Sequence, residues 1–115
     1  MKMKLTPDYI RDKLLDLGFS PANKGFQYIA EAVMILENDP DAAFNTIKGI
    51  YLPIAAAHGV THNATERCIR NAVKLAMEYN ADRISDYLRF QPTGVSGSYK
   101  NSDFLAAFHM ALHRG

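Results

Sequence analysis

Apolar positions recur at helical spacing along almost the whole chain. Ile10, Leu14 and Leu17, with Leu15 beside them, form one stripe, which predicts a helix over 7–17. Thr6 can cap it, Pro7 suits its first turn and Gly18 can stop it. Ile29, Val33 and Leu36 repeat in the same way, so a second helix is expected over 21–38, opened by Ser20-Pro21 and closed by Asn38-Asp39-Pro40. Further helices are expected in PDAAFNTIKG (40–49), in YLPIAAAH (51–58), over 62–79, briefly in ADRISDYLRF (81–90), and from NSDFLAAFHMALHRG (101–115), where Asn101 or Ser102 can cap. No segment shows convincing strand alternation. The expected fold is all-α: a compact bundle of about six helices built around a helix-turn-helix, with 1–115 as a single domain. Only 91–100, rich in Gly and Ser, reads as flexible.

The helix-turn-helix reading comes from YLPIAAAHGVTHNATERCIRNAVK. Counted from Tyr51, Ala55 is fifth, Gly59 ninth and Val60 tenth. A small side chain at the fifth place lets two helices cross. Glycine at the ninth takes φ > 0 without strain. An apolar tenth residue, Val60, fills the angle between the helices. Thr61 or Asn63 can cap the second helix, and Asn63-x-x-Glu66 has the shape of a capping box.

On a wheel of 100° per residue, Thr65, Ile69, Ala72, Val73 and Ala76 share a core face. Asn63, Ala64, Arg67, Asn71 and Lys74 lie opposite, with Glu66 and Arg70 on one edge. Arg67 and Arg70 can donate to guanine edges. Asn63 can read adenine or hold phosphate, and Glu66 can accept from cytosine or orient an arginine. Such a helix would lie in a major groove. A glycine between helices is also an ordinary bend, and Glu66–Arg70 an ordinary i,i+4 pair, so the spacing alone leaves both readings open.

Composition narrows the classes. The 115 residues are 48% hydrophobic, enough to bury a core and to argue against disorder. Net charge is +1, from 13 Lys+Arg against 12 Asp+Glu, so any nucleic-acid binding rests on local placement of charge. A lone cysteine, Cys68, suits a reducing compartment and reads as a small buried hydrophobe. No apolar run approaches the roughly 20 residues that span a bilayer, and MKMKLTPDY lacks the apolar stretch of a signal peptide. A cytoplasmic protein with no membrane partner is expected.

Other chemistries find little support. His109 and His113 stand i,i+4, but HMALH lacks the glutamate of a zinc hydrolase motif and no third ligand is evident. No metal or cofactor is expected, and no arrangement of nucleophile and base marks an enzyme. His58 and His62 flank the turn, where they would meet phosphate or solvent. Phe26, Tyr28, Phe44, Phe104 and Phe108 read as core.

Four blocks carry a family resemblance: KGFQYIAEAV (24–33), IYLPIA (50–55), ERCIRNAVKLA (66–76) and NSDFLA (101–106). In this order, over roughly 8–112, the chain resembles the C-terminal effector domains of the master sporulation response regulator family, the stage-zero A proteins. The resemblance implies an all-helical bundle around a helix-turn-helix. It also implies binding to short promoter elements, often as tandem dimers, and contact with RNA polymerase sigma factor. It places DNA contacts on Asn63, Glu66, Arg67 and Arg70, and associates sigma-factor contact with the region of Asp82, Arg83, Ser85 and Asp86. That region reads equally as a helix covering the core with Ile84, Tyr87 and Leu88. Three positions depart from the family pattern: Ala64 replaces a usual arginine, and Ala56 and Ala57 replace usual lysines. These favour a rival reading, a receiverless protein-interaction module or antagonist that keeps the fold without binding DNA. The family's phosphorylated receiver domain is not expected in these 115 residues.

Overall fold

The structure, a computed structural model, describes residues 4–94 and 96–115. Among them are five α-helices and no strand: α1 (Pro7–Asp16), α2 (Lys24–Asn38), α3 (Leu52–His58), α4 (His62–Leu88) and α5 (Asn101–Arg114). None is long and apolar enough to cross a membrane. Helix α1 begins and ends as expected. The Thr6 hydroxyl accepts the Tyr9 amide at 3.2 Å, Pro7 opens the helix and Gly18 follows it at φ +92°. Helix α2 starts three residues later than expected. Residues 20–23 form a turn closed by the Asn23 amide on the Ser20 carbonyl, and the Asn23 side chain accepts the Gly25 amide at 2.8 Å. Asparagine is a strong N-cap, and here it outcompetes Ser20-Pro21.

The helix expected over 40–49 is instead two short pieces, a 3₁₀ turn (Pro40–Phe44) and a π turn (Ile47–Tyr51) that runs into α3. Asn45 separates them: its backbone is extended (φ −144°, ψ 80°), and its side chain accepts the Lys48 amide at 3.2 Å. An asparagine that bonds local backbone in this way competes with helix formation. The break also turns Phe44 outward. It is 89% exposed and is not core, whereas Phe26, Tyr28, Phe104 and Phe108 are buried.

Helix α4 continues through the boundary expected at residue 79, with a kink at Asn80 (φ −136°, ψ 27°). The Gly18 backbone sits against this kink, where an added Cβ would lie 2.2 Å from the Asn80 side chain. Helix α2 runs through the centre and packs on α1, α4 and α5. Ile10, Leu14, Ile29, Leu36, Ile50, Ile69, Ile84, Phe104 and Phe108 form the fully buried heart of the core. Where α2 crosses α4, a Cβ on Gly25 would meet the Cys68 carbonyl oxygen at 2.2 Å and the Ala72 Cβ at 2.6 Å. The two helices therefore touch backbone to backbone, which sets how α4 is presented to solvent.

Candidate nucleic-acid interface

The α3–α4 turn is tight. Gly59 adopts the left-handed conformation (φ 66°, ψ 32°), and the Gly59 and Val60 amides both return to the Ala55 carbonyl. Ala55 is buried, as a helix crossing requires, while Ala56 and Ala57 are exposed. Val60 does not fill the interhelical angle. Its amide makes the turn, and its side chain, 36% exposed, lines a shallow hollow with Lys24, Gln27, Tyr28 and His58. Burial near the turn falls instead to Ile54, Thr65 and Ile69. The Thr65 hydroxyl is satisfied by the Thr61 carbonyl at 3.2 Å.

Thr61 is the N-cap of α4, accepting the Ala64 amide at 3.0 Å. Asn63 lies inside the helix and exposed, so Asn63 and Glu66 form no capping box. The core face is as the wheel requires: Thr65, Ile69, Ala72, Val73 and Ala76 are all buried. Asn63, Arg67, Arg70, Asn71 and Lys74 are exposed, with Glu66 half-buried beside them. The Arg70 Nε lies 3.2 Å from the Glu66 carboxylate, whereas Arg67 has no carboxylate partner among the described residues.

Two features of this face escaped the sequence reading. Arg70, Asn71 and Lys74 line a concavity of ≈ 460 Å³ with Gly94, Ser96, Ser98, Tyr99 and Lys100. The Gly/Ser loop thus adds a lysine and two hydroxyls to the basic edge of α4. Asn101 does not cap α5, for which Lys100 holds the N-cap position. It is buried, and its Nδ2 donates to the Tyr51 hydroxyl and the Glu66 carbonyl, both at 3.1 Å. A further Nδ2 contact reaches the Glu66 carboxylate at 3.4 Å. One amide therefore joins the residue before α3, the start of α5 and the Glu66 edge of α4. Burial pushes the Tyr51 phenol above its ordinary value; the Asn101 hydrogen bond opposes the rise, and the Glu66 charge adds to it.

Beyond the kink, Asp82, Arg83 and Asp86 are exposed, and Arg83 donates to the Asp16 carbonyl at 3.0 Å. Ser85 is not a surface contact. It is 6% exposed, on the same side of the helix as buried Ile84 and Leu88, and its hydroxyl lies 3.0 Å from that of Tyr99. The Tyr99 hydroxyl in turn donates to the Phe90 carbonyl, which pins the loop to α4.

The histidines are placed unexpectedly. His58 faces Glu31 of α2, its Nε2 2.8 Å and 2.9 Å from the two carboxylate oxygens, with its ring 5.0 Å from that of Tyr28. His109 and His113 both direct Nε2 at the Glu37 Oε1, at 2.9 Å and 2.6 Å. The third group that the i,i+4 pair lacked in sequence thus comes from α2. The Leu5 amide donates to the other Glu37 oxygen at 3.3 Å. Burial pushes the Glu37 carboxyl up, but these hydrogen bonds outweigh it and hold the group at about 2.

Residues 10–112 match the protein family described as the C-terminal domain of sporulation initiation factor Spo0A. That family is a DNA-binding effector domain of a sporulation regulator rather than a known enzyme family.

Proposed function

The chain belongs to the Spo0A C-terminal family, and from that premise we propose that it is a sequence-specific transcription regulator reading the major groove with the first half of α4. The observation that carries this reading is the two-sided character of residues 63–76: an unbroken buried face backs an exposed row of Asn63, Arg67, Arg70, Asn71 and Lys74. Arg67 is the principal base reader, because no ion pair needs to be broken before it donates to a guanine. Arg70 is held by Glu66, which orients it toward an adjacent base. Lys74, Lys100, Ser96 and Ser98 track phosphate along the concavity. Exposed Ala56 and Ala57 give α3 no charge with which to hold the backbone, so affinity rests on α4 and the loop. The partners are promoter DNA, a second copy on tandem sites, and sigma factor through Asp82, Arg83 and Asp86, in the cytoplasm.

The test is a titration with a family-type promoter element and a scrambled duplex at two salt concentrations. Arg67→Ala is expected to cost about 1–3 kcal/mol on the specific element and to relax discrimination at one base. An equal loss on both duplexes would reduce Arg67 to a phosphate contact. A second reading has its own observation. Phe44, Ile47 and Leu52 are 89%, 51% and 42% exposed on the segment entering α3, apolar surface suited to a protein partner. Wild-type binding that is weak on both duplexes would favour that module.

A further inference from the structure

We propose that Glu37, His109 and His113 form a binding site for a divalent transition-metal ion of the zinc type, clasping the C-terminal half of α2 to α5. The three donor atoms all lie within 4.8 Å of one another. Both rings present Nε2 to the same carboxylate oxygen, so once each Nε2 gives up its proton, to solvent or to Nδ1 of the same ring, three donor atoms converge on one small volume. Zinc binds imidazole nitrogen and carboxylate oxygen at about 2.0–2.2 Å, which sets tetrahedral donors about 3.4 Å apart. The observed 2.9 Å and 2.6 Å separations need to open by only some tenths of an ångström. Small rotations of the two histidine side chains supply that.

The surroundings fit an ion as well as the donors do. The side chains of His109, His113 and Glu37 are 17%, 25% and 13% exposed, enclosed enough to weaken competition from water yet open enough for an ion to enter. Three protein donors leave one coordination position for water. The carboxylate is held from behind by the Leu5 amide on its other oxygen, the kind of outer hydrogen bond that orients a metal-binding carboxylate. Two imidazoles and one carboxylate suit zinc, cobalt or nickel over calcium or magnesium, which take oxygen donors. The ion would take the place of the two Nε2 protons that now face the carboxylate, tying the segment at Leu5, α2 and α5 through a single centre. The site lies apart from the proposed DNA-reading residues, so it stands or falls independently of them.

The experiment is thermal unfolding of the full chain after EDTA treatment, with and without added zinc chloride, alongside equilibrium dialysis against zinc. One zinc per chain and a rise in Tm that EDTA reverses are expected. Cobalt(II) should give the visible absorption bands of a tetrahedral site and be displaced by zinc. His113→Gln, checked for folding by circular dichroism, should lose at least about tenfold in zinc affinity, whereas His58→Gln should keep both the stoichiometry and the Tm shift. Wild-type protein that binds no stoichiometric zinc, or whose Tm is unmoved by it, overturns the site. An undiminished zinc response in folded His113→Gln does the same.

Discussion

The two ends of α2 hold their neighbours by different means. At its start, Gly25 meets α4 backbone to backbone, and nearly two turns on, Glu31 reaches His58 across half-open ground with side-chain exposures of 28% and 34%. At its far end stands Glu37. It is 13% exposed and accepts from two histidines and a backbone amide. The first end is held by shape, with an ion pair as accessory. The second is held by polar chemistry in an enclosed place. An exposed pair contributes little because water competes for both partners, whereas an enclosed carboxylate that accepts from several donors cannot be removed without stranding them. The shape-held end is the one that presents the helix-turn-helix, so the angle of α4 depends on packing rather than on charge.

The sharpest way to break this contrast is Gly25→Ala. Alanine gains about 1 kcal/mol of helix propensity over glycine. Its Cβ, however, would stand 2.2 Å from the Cys68 carbonyl oxygen, and a backbone atom cannot swing aside. Overpacking of this kind is expected to destabilise by about 3 kcal/mol net, measured by urea denaturation, with α4 displaced and specific DNA binding lost along with it. A variant as stable as the wild type would mean the crossing is loose.

At the polar end, Glu37→Gln in the presence of EDTA is expected to cost about 2 kcal/mol, because the amide NH₂ must face either the Leu5 amide or a histidine N–H. The same carboxylate gives an acid limb with a defined sign. Its folded value of about 2 lies below the ordinary 4.5, so its contribution is fully present above about 4.5 and is lost as pH falls toward 2. The stability gap between wild type and Glu37→Gln should therefore close over that window. A gap that persists at pH 2 would assign the loss to packing.

Much of the helix-turn-helix end was legible in sequence. The buried face of α4 follows from 100° periodicity, and Ala55 and Gly59 from the spacing of the turn, because both signals are local. The rest depended on contacts distant in the chain. Glu37 lies 72 and 76 residues from its two histidines, so HMALH looked like a pair with no third ligand. Asn101 carried a sound capping signal but is drawn into the core by Tyr51 and Glu66, 50 and 35 residues away. Ser85 was grouped with Asp82, Arg83 and Asp86 because the resemblance associates that region with sigma-factor contact, although its own position belongs with Ile84 and Leu88. Phe44 failed for a local reason: Asn45 breaks the helix that would have turned it inward. Val60 sat at the expected count, but the turn needed its amide and not its side chain.

The smallest expected effect tests whether the Glu31–His58 pair is accessory. Both groups are partly solvated, and such pairs are worth about 0–1 kcal/mol. Glu31 also accepts from Gln27 Nε2 at 2.8 Å, a bond that a glutamine at position 31 can still receive. His58 keeps its place beside the Tyr28 ring, 5.0 Å away. Glu31→Gln should therefore lower stability by less than about 1 kcal/mol. It should leave specific DNA affinity within about twofold, since RT ln 2 is only about 0.4 kcal/mol. The informative failure is a divided result. If stability barely moves but specific affinity falls about tenfold, the His58 end of α3 is held at its working angle by charge, and the Gly25 crossing fixes the position of α4 without fixing that of its partner. Raising salt would then mimic the substitution in the wild type, weakening binding to the specific element more than to the scrambled duplex. If both quantities stay put, the turn at Gly59 and the contact at Gly25 suffice to hold the helix pair.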